Sequence, residues 1–291
     1  VPWRYTGICD DDRPAASGMA TDHSGGNMAI KQPAKVILFD LDGTIYLSGV
    51  LYPGVTELVD RLNRSNIQFG FLTNNSTIGP GSYLRKLKAL DLDIRQHNVL
   101  TSAEATCLML EDLNIGPELY ILGTQRFRRF LKGRGYVHTV AGAQAVLVGF
   151  DTELTYRKLT EATRLLLNGV PLLASHPDPV CPGPYPDAGM LLEYFKAASP
   201  DIHVTAIAGK PHKWIVKLVE ERFGVGMDQV IMVGDRLNTD IRFARTYGMR
   251  SILVLNGEPR PAMDGDDIPD VVADHIAEVA DRYWPEQLGW T

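Results

Sequence analysis

Cysteine is scarce in this sequence. Cys9, Cys107 and Cys181 are far apart and odd in number, so neither a disulfide framework nor a paired-thiol metal site is expected, and a reducing, cytoplasmic setting fits best. Cys107, inside the apolar stretch ATCLMLEDL, reads as a small core residue. Long hydrophobic runs are missing as well: none approaches the roughly 20 residues that a membrane helix needs. No membrane partner is expected. Basic blocks are absent too, with 29 Lys and Arg against 35 Asp and Glu and a formal net charge of -6. No stretch can track a phosphate backbone, which argues against nucleic acid as a partner. Internal repeats and low-complexity tracts are not found. Residues 1–34 have neither an apolar signal core nor helical periodicity, and are expected to form a loose tail, with Met19 or Met28 as a natural start.

What is present is an alternation of short apolar runs and amphipathic segments from residue 35 onward, the pattern of an α/β protein built on parallel strands. The runs VILF (36–39), IQFGFL (67–72), LYIL (119–122), AVLVGF (145–150), VPLLA (170–174), QVIMVG (229–234) and SILVL (251–255) are continuous rather than alternating, which predicts strands buried on both faces. Between them, TSAEATCLMLEDL opens with Thr101 and Glu104 in capping-box spacing, and TYRKLTEATRLLLNG closes with Gly169 where a left-handed cap is wanted.

The run VILF ends in Asp40 and Asp42. In an open parallel sheet the carboxyl ends of the strands form the ligand-binding rim, and side chains two apart on a strand face the same way. Two carboxylates so close call for a cation, and Mg²⁺ is the hard, oxygen-seeking candidate. Gly43 then allows a sharp turn. Three further runs end similarly: IQFGFL in Thr73, Asn74 and Asn75, VTAIAG in Lys210, and QVIMVG in Asp235 followed by Asn238 and Asp240. Acids, a hydroxyl and one cation together make a site for a metal and an anion. Asn75 and Asn238 can equally cap turns or helices.

The order DxDGT, TNN, GK, GDxxxTD resembles the four motifs of the haloacid dehalogenase-like phosphatases over residues 35 to about 281. The resemblance implies a Rossmann-like, doubly wound parallel-sheet core with an inserted α/β cap. It also implies a Mg²⁺-dependent phosphomonoesterase acting on a small phosphorylated metabolite through an aspartyl-phosphate. In that scheme Asp40 is the nucleophile, Asp42 the acid and then the base, and Lys210 screens nucleophile and phosphate. Thr73, Asn74, Gly43 and Lys210 bind phosphate. The metal set is Asp40, the Asp42 main-chain carbonyl and Asp235, with Asp240 orienting a bound water or Lys210.

The space between Asn75 and Lys210 exceeds one crossover, so the core is expected at 35–113 and 206–291 and the cap at 114–205. TNNST, LTSAEAT, VLVGFDTELTYRKLTEA and PDAG are similar to the nitrophenylphosphatase, phosphoglycolate phosphatase and nucleotide phosphatase subgroup, whose members often dimerise through the cap. Where that subgroup usually reads ATNxD, this chain reads ASHPD, with His176 replacing an asparagine. His176, Asp178 and Tyr185 sit in a proline-rich loop that either reads the leaving group under a closing cap or is a stiffened surface loop. No second histidine is spaced to make His176 a metal ligand. Dehalogenation, sugar phosphomutase chemistry and a non-catalytic sensor on the same fold are the alternatives. Asp42 argues against the first, the lack of a cap after the first motif against the second, and the intact Asp40 and Lys210 against the third.

Overall fold

A computed structural model describes residues 32–181, 185–263, 265 and 267–290; the tail expected at the N-terminus lies outside them up to residue 31. Ala34, assigned to that tail, is instead buried and donates its N–H to the Trp290 carbonyl at 2.7 Å. In chain order the first third comprises β1 (Val36–Phe39), β2 (Tyr46–Leu47), β3 (Val50–Leu51), α1 (Val55–Arg64), β4 (Gln68–Thr73), α2 (Pro80–Lys88), β5 (Val99–Thr101) and α3 (Ser102–Asp112). The middle contains β6 (Glu118–Leu122), α4 (Gln125–Lys132), β7 (Val137–His138), β8 (Ala145–Val148), α5 (Tyr156–Leu167), β9 (Leu172–Ala174), β10 (Val180–Cys181), β11 (Tyr185–Pro186), α6 (Ala188–Ala198) and β12 (Val204–Ile207). The chain closes with α7 (Lys213–Phe223), β13 (Val230–Gly234), α8 (Arg242–Thr246), β14 (Arg250–Val254), β15 (Val271–Ala273) and α9 (Ala277–Asp281). No helix among these residues is long and apolar enough to cross a membrane.

Two parallel sheets organise the molecule. The first has six strands in the order β15-β14-β13-β1-β4-β5, and the second five in the order β12-β9-β8-β6-β7. The continuous apolar runs have the expected cause, since alternate residues of each strand enter different cores. Val36 and Leu38 pack on one face of the first sheet, Ile37 and Phe39 on the other. Leu119, Ile121, Ala145, Leu147 and Leu173 of the second sheet join the same cluster as Val36 and Leu38, and the opposite face of that sheet packs on α5 and α6. Helix α3 lies in the shared cluster. It carries no polar face because Ala103, Ala105, Cys107, Met109 and Leu110 are all buried. Its start is the predicted box: the Thr101 hydroxyl accepts from Glu104 N–H at 3.3 Å, and the Glu104 carboxylate accepts from Thr101 N–H at 3.2 Å. Gly169, two residues past α5, has φ 83° as its capping position requires.

One strand lies elsewhere than expected. VTAI, assigned to the rim of the first sheet, is β12 and pairs with β9 at the edge of the second. The expected core boundary at residue 206 therefore falls inside a strand. An apolar run announces a strand but not the sheet it joins.

The two layers are tied by a buried polar chain. Ser76, after β4, accepts at its hydroxyl from Phe150 N–H at 3.0 Å and from the Ser175 hydroxyl at 2.9 Å. Ser175 Oγ meets His176 Nδ1 at 2.8 Å, and His176 Nε2 meets Asp187 Oδ1 at 2.8 Å. His176 is 0% exposed. With the Ser175 proton given to Ser76, Nδ1 is the donor to Ser175 Oγ, and Nε2 donates to the carboxylate. Burial alone would lower the imidazole pKa, but the charges of Asp187 and Asp178 outweigh it and raise it. A raised native pKa means that the stabilisation is complete below the unfolded value of roughly 6.5 and is lost as pH rises through the native one. The melting-temperature advantage of the parent over His176→Gln is therefore expected to be greatest below about pH 6.5 and to shrink on the alkaline side; a pH-independent gap would contradict the charged pair.

Candidate active site at the carboxyl ends of the core strands

After β1 the chain adds β4 and β5 on one side, then returns to place β13, β14 and β15 on the other. This reversal of winding opens a crevice at the carboxyl ends of β1 and β13. Phe39 pairs with Val233 in register, and Asp40 N–H donates to the Val233 carbonyl at 2.8 Å. Asp40 and Asp235 are thereby delivered side by side. A π-helical turn, Leu237–Ile241, follows, in which the N–H groups of Asp240 and Ile241 share the Arg236 carbonyl at 3.1 and 3.2 Å. It folds Asp240 back, and a carboxylate oxygen from each of Asp40, Asp235 and Asp240 lies within 4.8 Å of the others.

Lys210 enters from the second sheet, just after β12. Its ammonium is 1% exposed and donates to Asp40 Oδ1 at 2.6 Å, Asp240 Oδ1 at 2.7 Å and the Leu72 carbonyl at 3.2 Å. Burial would lower its pKa, but Asp240 and Asp40 reverse that and raise it. The acids move the same way for a different reason. Burial raises Asp40 and Asp240, with Lys210 opposing. Asp235 is pushed up to about 8 by burial and then by Asp40 and Asp240. Asp42 is raised by burial, with Lys86 and a 3.3 Å hydrogen bond from the Tyr46 hydroxyl opposing. The Asp42 side chain stands apart from the three-carboxylate group.

Close approaches at the site exclude a side chain at Gly43 and Gly209. Gly43 has φ 102°, and a Cβ there would lie 2.4 Å from Asp235 Oδ2. Gly209 passes between Asn74 and the loop after β9, where a Cβ would lie 2.6 Å from Asn74 Oδ1 and 2.8 Å from the Ser175 carbonyl.

Several predicted contributors sit differently from expectation. The Gly43 N–H, expected on phosphate, donates to the Tyr46 carbonyl at 2.9 Å to close the turn, so this residue supplies space rather than a donor. Asn74, also expected on phosphate, is committed on all sides. Its Oδ1 accepts from Lys210 N–H at 2.8 Å, and its Nδ2 donates to the Lys210 carbonyl at 3.0 Å and to Asp178 Oδ2 at 2.9 Å. It positions Lys210. Asn75 caps a turn, its Oδ1 accepting from the N–H and hydroxyl of Thr77 at 3.0 and 2.7 Å, and also lines the cleft. Asn238 is exposed. His176 is sealed in the polar chain and Tyr185 is 61% exposed, so neither lines the cleft, whereas Asp178 does. Thr73 is buried and lines the cleft.

Arg236, Thr239, Cys181 and Asp187 also line the cleft, a role that the sequence did not assign to them. A basic residue directly after Asp235 was the available signal for Arg236, whose guanidinium donates to Asp178 Oδ1 at 3.3 Å. Cys181 is no nucleophile, since burial pushes its thiol pKa up to about 12. With Asp178 bridging Asn74 and Arg236, the cleft encloses only about 30 Å³, little more than one water.

Comparison with known proteins places this geometry in context. A family model described as haloacid dehalogenase-like hydrolase matches residues 37–137, and one described as HAD-hydrolase-like matches residues 207–279. The chain is 32% identical over 230 residues to an acid sugar phosphatase of Staphylococcus aureus, covering 77% of this chain and 87% of the relative. It is 28% identical over 261 residues to a dihydroxyacetone phosphatase of Corynebacterium glutamicum, covering 87% of this chain and 92% of the relative. Among solved structures, a 4-nitrophenylphosphatase from Thermotoga maritima superposes with a TM-score of 0.79 at 36% identity, covering 85% of this chain and 97% of that one. By sequence and by fold, the chain belongs to the haloacid dehalogenase-like hydrolases.

Proposed function

We propose that this protein is a metal-dependent phosphomonoesterase that hydrolyses small phosphate esters through a phosphorylated Asp40. The observation that carries the reading is the buried Lys210 ammonium held between Asp40 and Asp240, with Asp235 alongside. Two of the relatives, a dihydroxyacetone phosphatase and an acid sugar phosphatase, support a small sugar-type ester as substrate.

The donor set fits a divalent cation. Three carboxylates cluster at the site, Asp240 fully buried and Asp40 and Asp235 partly so, and all the donors are oxygens, as Mg²⁺ prefers. Asp40, Asp235 and the Asp42 main-chain carbonyl would hold it. Asp240 has both oxygens engaged, one by Lys210 and one by Arg236 N–H at 3.1 Å, and acts by positioning Lys210. A bound Mg²⁺ supplies neutralisation of the repulsion between a carboxylate and a phosphate dianion.

The chain's own groups account for the rest. An Asp40 oxygen forms a bond to phosphorus as the bond to the leaving oxygen breaks. Asp42, whose burial favours its protonated form, gives its proton to that oxygen. Water then attacks the same phosphorus, Asp42 takes the water's proton, and the carboxylate of Asp40 is released. The Thr73 hydroxyl and Lys210 ammonium donate to the phosphoryl oxygens. The segment from 114 to 207 acts as the cap, and its Asp178 latches onto Asn74 and Arg236 over the cleft. A cleft of about 30 Å³ is too small for a phosphate ester, so substrate entry requires that latch to open.

Asp40→Asn is expected to lower nitrophenyl phosphate hydrolysis at least about 1,000-fold while leaving the circular dichroism unchanged, and EDTA is expected to stop the parent until Mg²⁺ is returned. Near-parent turnover by the variant would remove Asp40 as nucleophile; full activity in chelator would remove the metal.

The latch has its own readout. Asp178→Ala removes a buried partner worth about 1–3 kcal/mol, so amide hydrogen exchange in the segment after β9 should accelerate roughly tenfold to a hundredfold. Unchanged exchange there would mean that other contacts hold the loop down.

A further inference from the structure

Beside the catalytic cleft lies a larger crevice of about 730 Å³ whose lining includes Gly79, Arg85, Lys86, Arg126, Arg129 and Phe130. Its cations come from two layers. Arg85 and Lys86 belong to α2 of the first sheet's layer, Arg126 and Arg129 to α4 of the second. No acidic side chain lines the crevice, and none of the ion pairs among the described residues involves any of the four. Arg85 is hydrogen-bonded to the Ser82 hydroxyl at 2.9 Å. In a chain whose net charge is -6, four cations facing one space without a carboxylate are a local reversal of sign.

The helices that carry them are held together. Thr124, the N-cap of α4, donates its hydroxyl to the Thr77 carbonyl at 2.6 Å. Phe130 packs against Gly79, where a Cβ would lie 2.5 Å from the ring. Like charges across such a crevice repel, and an anion between them turns the repulsion into attraction for both layers. Arginine's planar fork suits a phosphate or a carboxylate.

The crevice connects to the chemistry through one ring. The Lys86 ammonium sits 3.9 Å above the centre of the Tyr46 ring, and the Tyr46 hydroxyl donates to Asp42 at 3.3 Å. Asp42 is the group that protonates the leaving oxygen in the proposed reaction, and Lys86 is the cation of the crevice whose charge acts on it.

We infer that this crevice is a second anion-binding subsite that takes a negatively charged group at the far end of the leaving group, so that preferred substrates are phosphate esters carrying a second phosphate or a carboxylate. The inference rests on the phosphatase reading and deepens it by naming the substrate class.

The test compares three esters of matched length, glucose 6-phosphate, gluconate 6-phosphate and glucose 1,6-bisphosphate, with nitrophenyl phosphate as the reference. In the parent, at least one of the two doubly anionic esters is expected to have a kcat/KM about tenfold to a hundredfold above that of glucose 6-phosphate; which one it is assigns a carboxylate or a phosphate to the subsite. The double variant Arg126→Ala, Arg129→Ala is expected to erase that preference while nitrophenyl phosphate hydrolysis stays within about twofold. No preference in the parent, or an equal loss on every substrate in the variant, would overturn the subsite. Calorimetry on Asp40→Asn separates the two readings. Tighter binding of the doubly anionic esters, lost when both arginines are also replaced, supports the subsite even if the parent fails to turn over nitrophenyl phosphate and the phosphatase reading falls; equal affinity for all three esters overturns the subsite alone.

Discussion

The buried ammonium of Lys210 is the interaction on which the site depends. Taking a charge out of water costs several kcal/mol, and at 1% exposure that cost is met only by Asp40, Asp240 and the Leu72 carbonyl together. Each partner arrives on a different element of the first sheet, while Lys210 itself arrives from the edge of the second. The charge can be placed only if both layers are fixed against each other. Helix α3, buried all round, and the hydrophobic cluster it shares with both sheets supply that constraint. Gly209 and Asn74 set the last approach.

Two kinds of contact join the layers near the cleft, and they differ in what loosening them would cost. The chain from Ser76 through Ser175 and His176 to Asp187 is buried and continuously hydrogen-bonded, so breaking it leaves buried polar groups unmatched. The Asp178 bridge to Asn74 and Arg236 spans the cleft itself. A phosphate entering the cleft would compete for the same donors. In the proposed reaction the first contact anchors the cap loop and the second opens with substrate.

Much of the first sheet was legible because VILF, IQFGFL, QVIMVG and SILVL are buried on both faces, leaving unbroken apolar runs. Strands β5 and β15 were not recognised: three residues each give too short a signal at a sheet edge. The acids Asp40 and Asp235 were legible because each ends such a run. Asn74 was legible only as an amide at the rim, since a side chain's type shows what it can donate but not that Lys210 and Asp178 hold it in the closed cleft. His176 read as a loop residue, facing either substrate or solvent, because burial by a neighbouring layer leaves no local pattern. The basic crevice was invisible in the same sense. Arg85 and Lys86 are some forty residues from Arg126 and Arg129, and a chain without a basic block can still fold a basic surface.

The central claim, that Asp40 carries the phosphoryl group while Lys210 holds it in place, is tested most directly by acid-quenching the protein during turnover of a phosphate ester and weighing the peptide that contains residues 36–46. The account predicts a transient gain of one phosphoryl group on Asp40, absent in Asp40→Asn. A peptide that stays unmodified through turnover, or that carries the group on another residue, would contradict it.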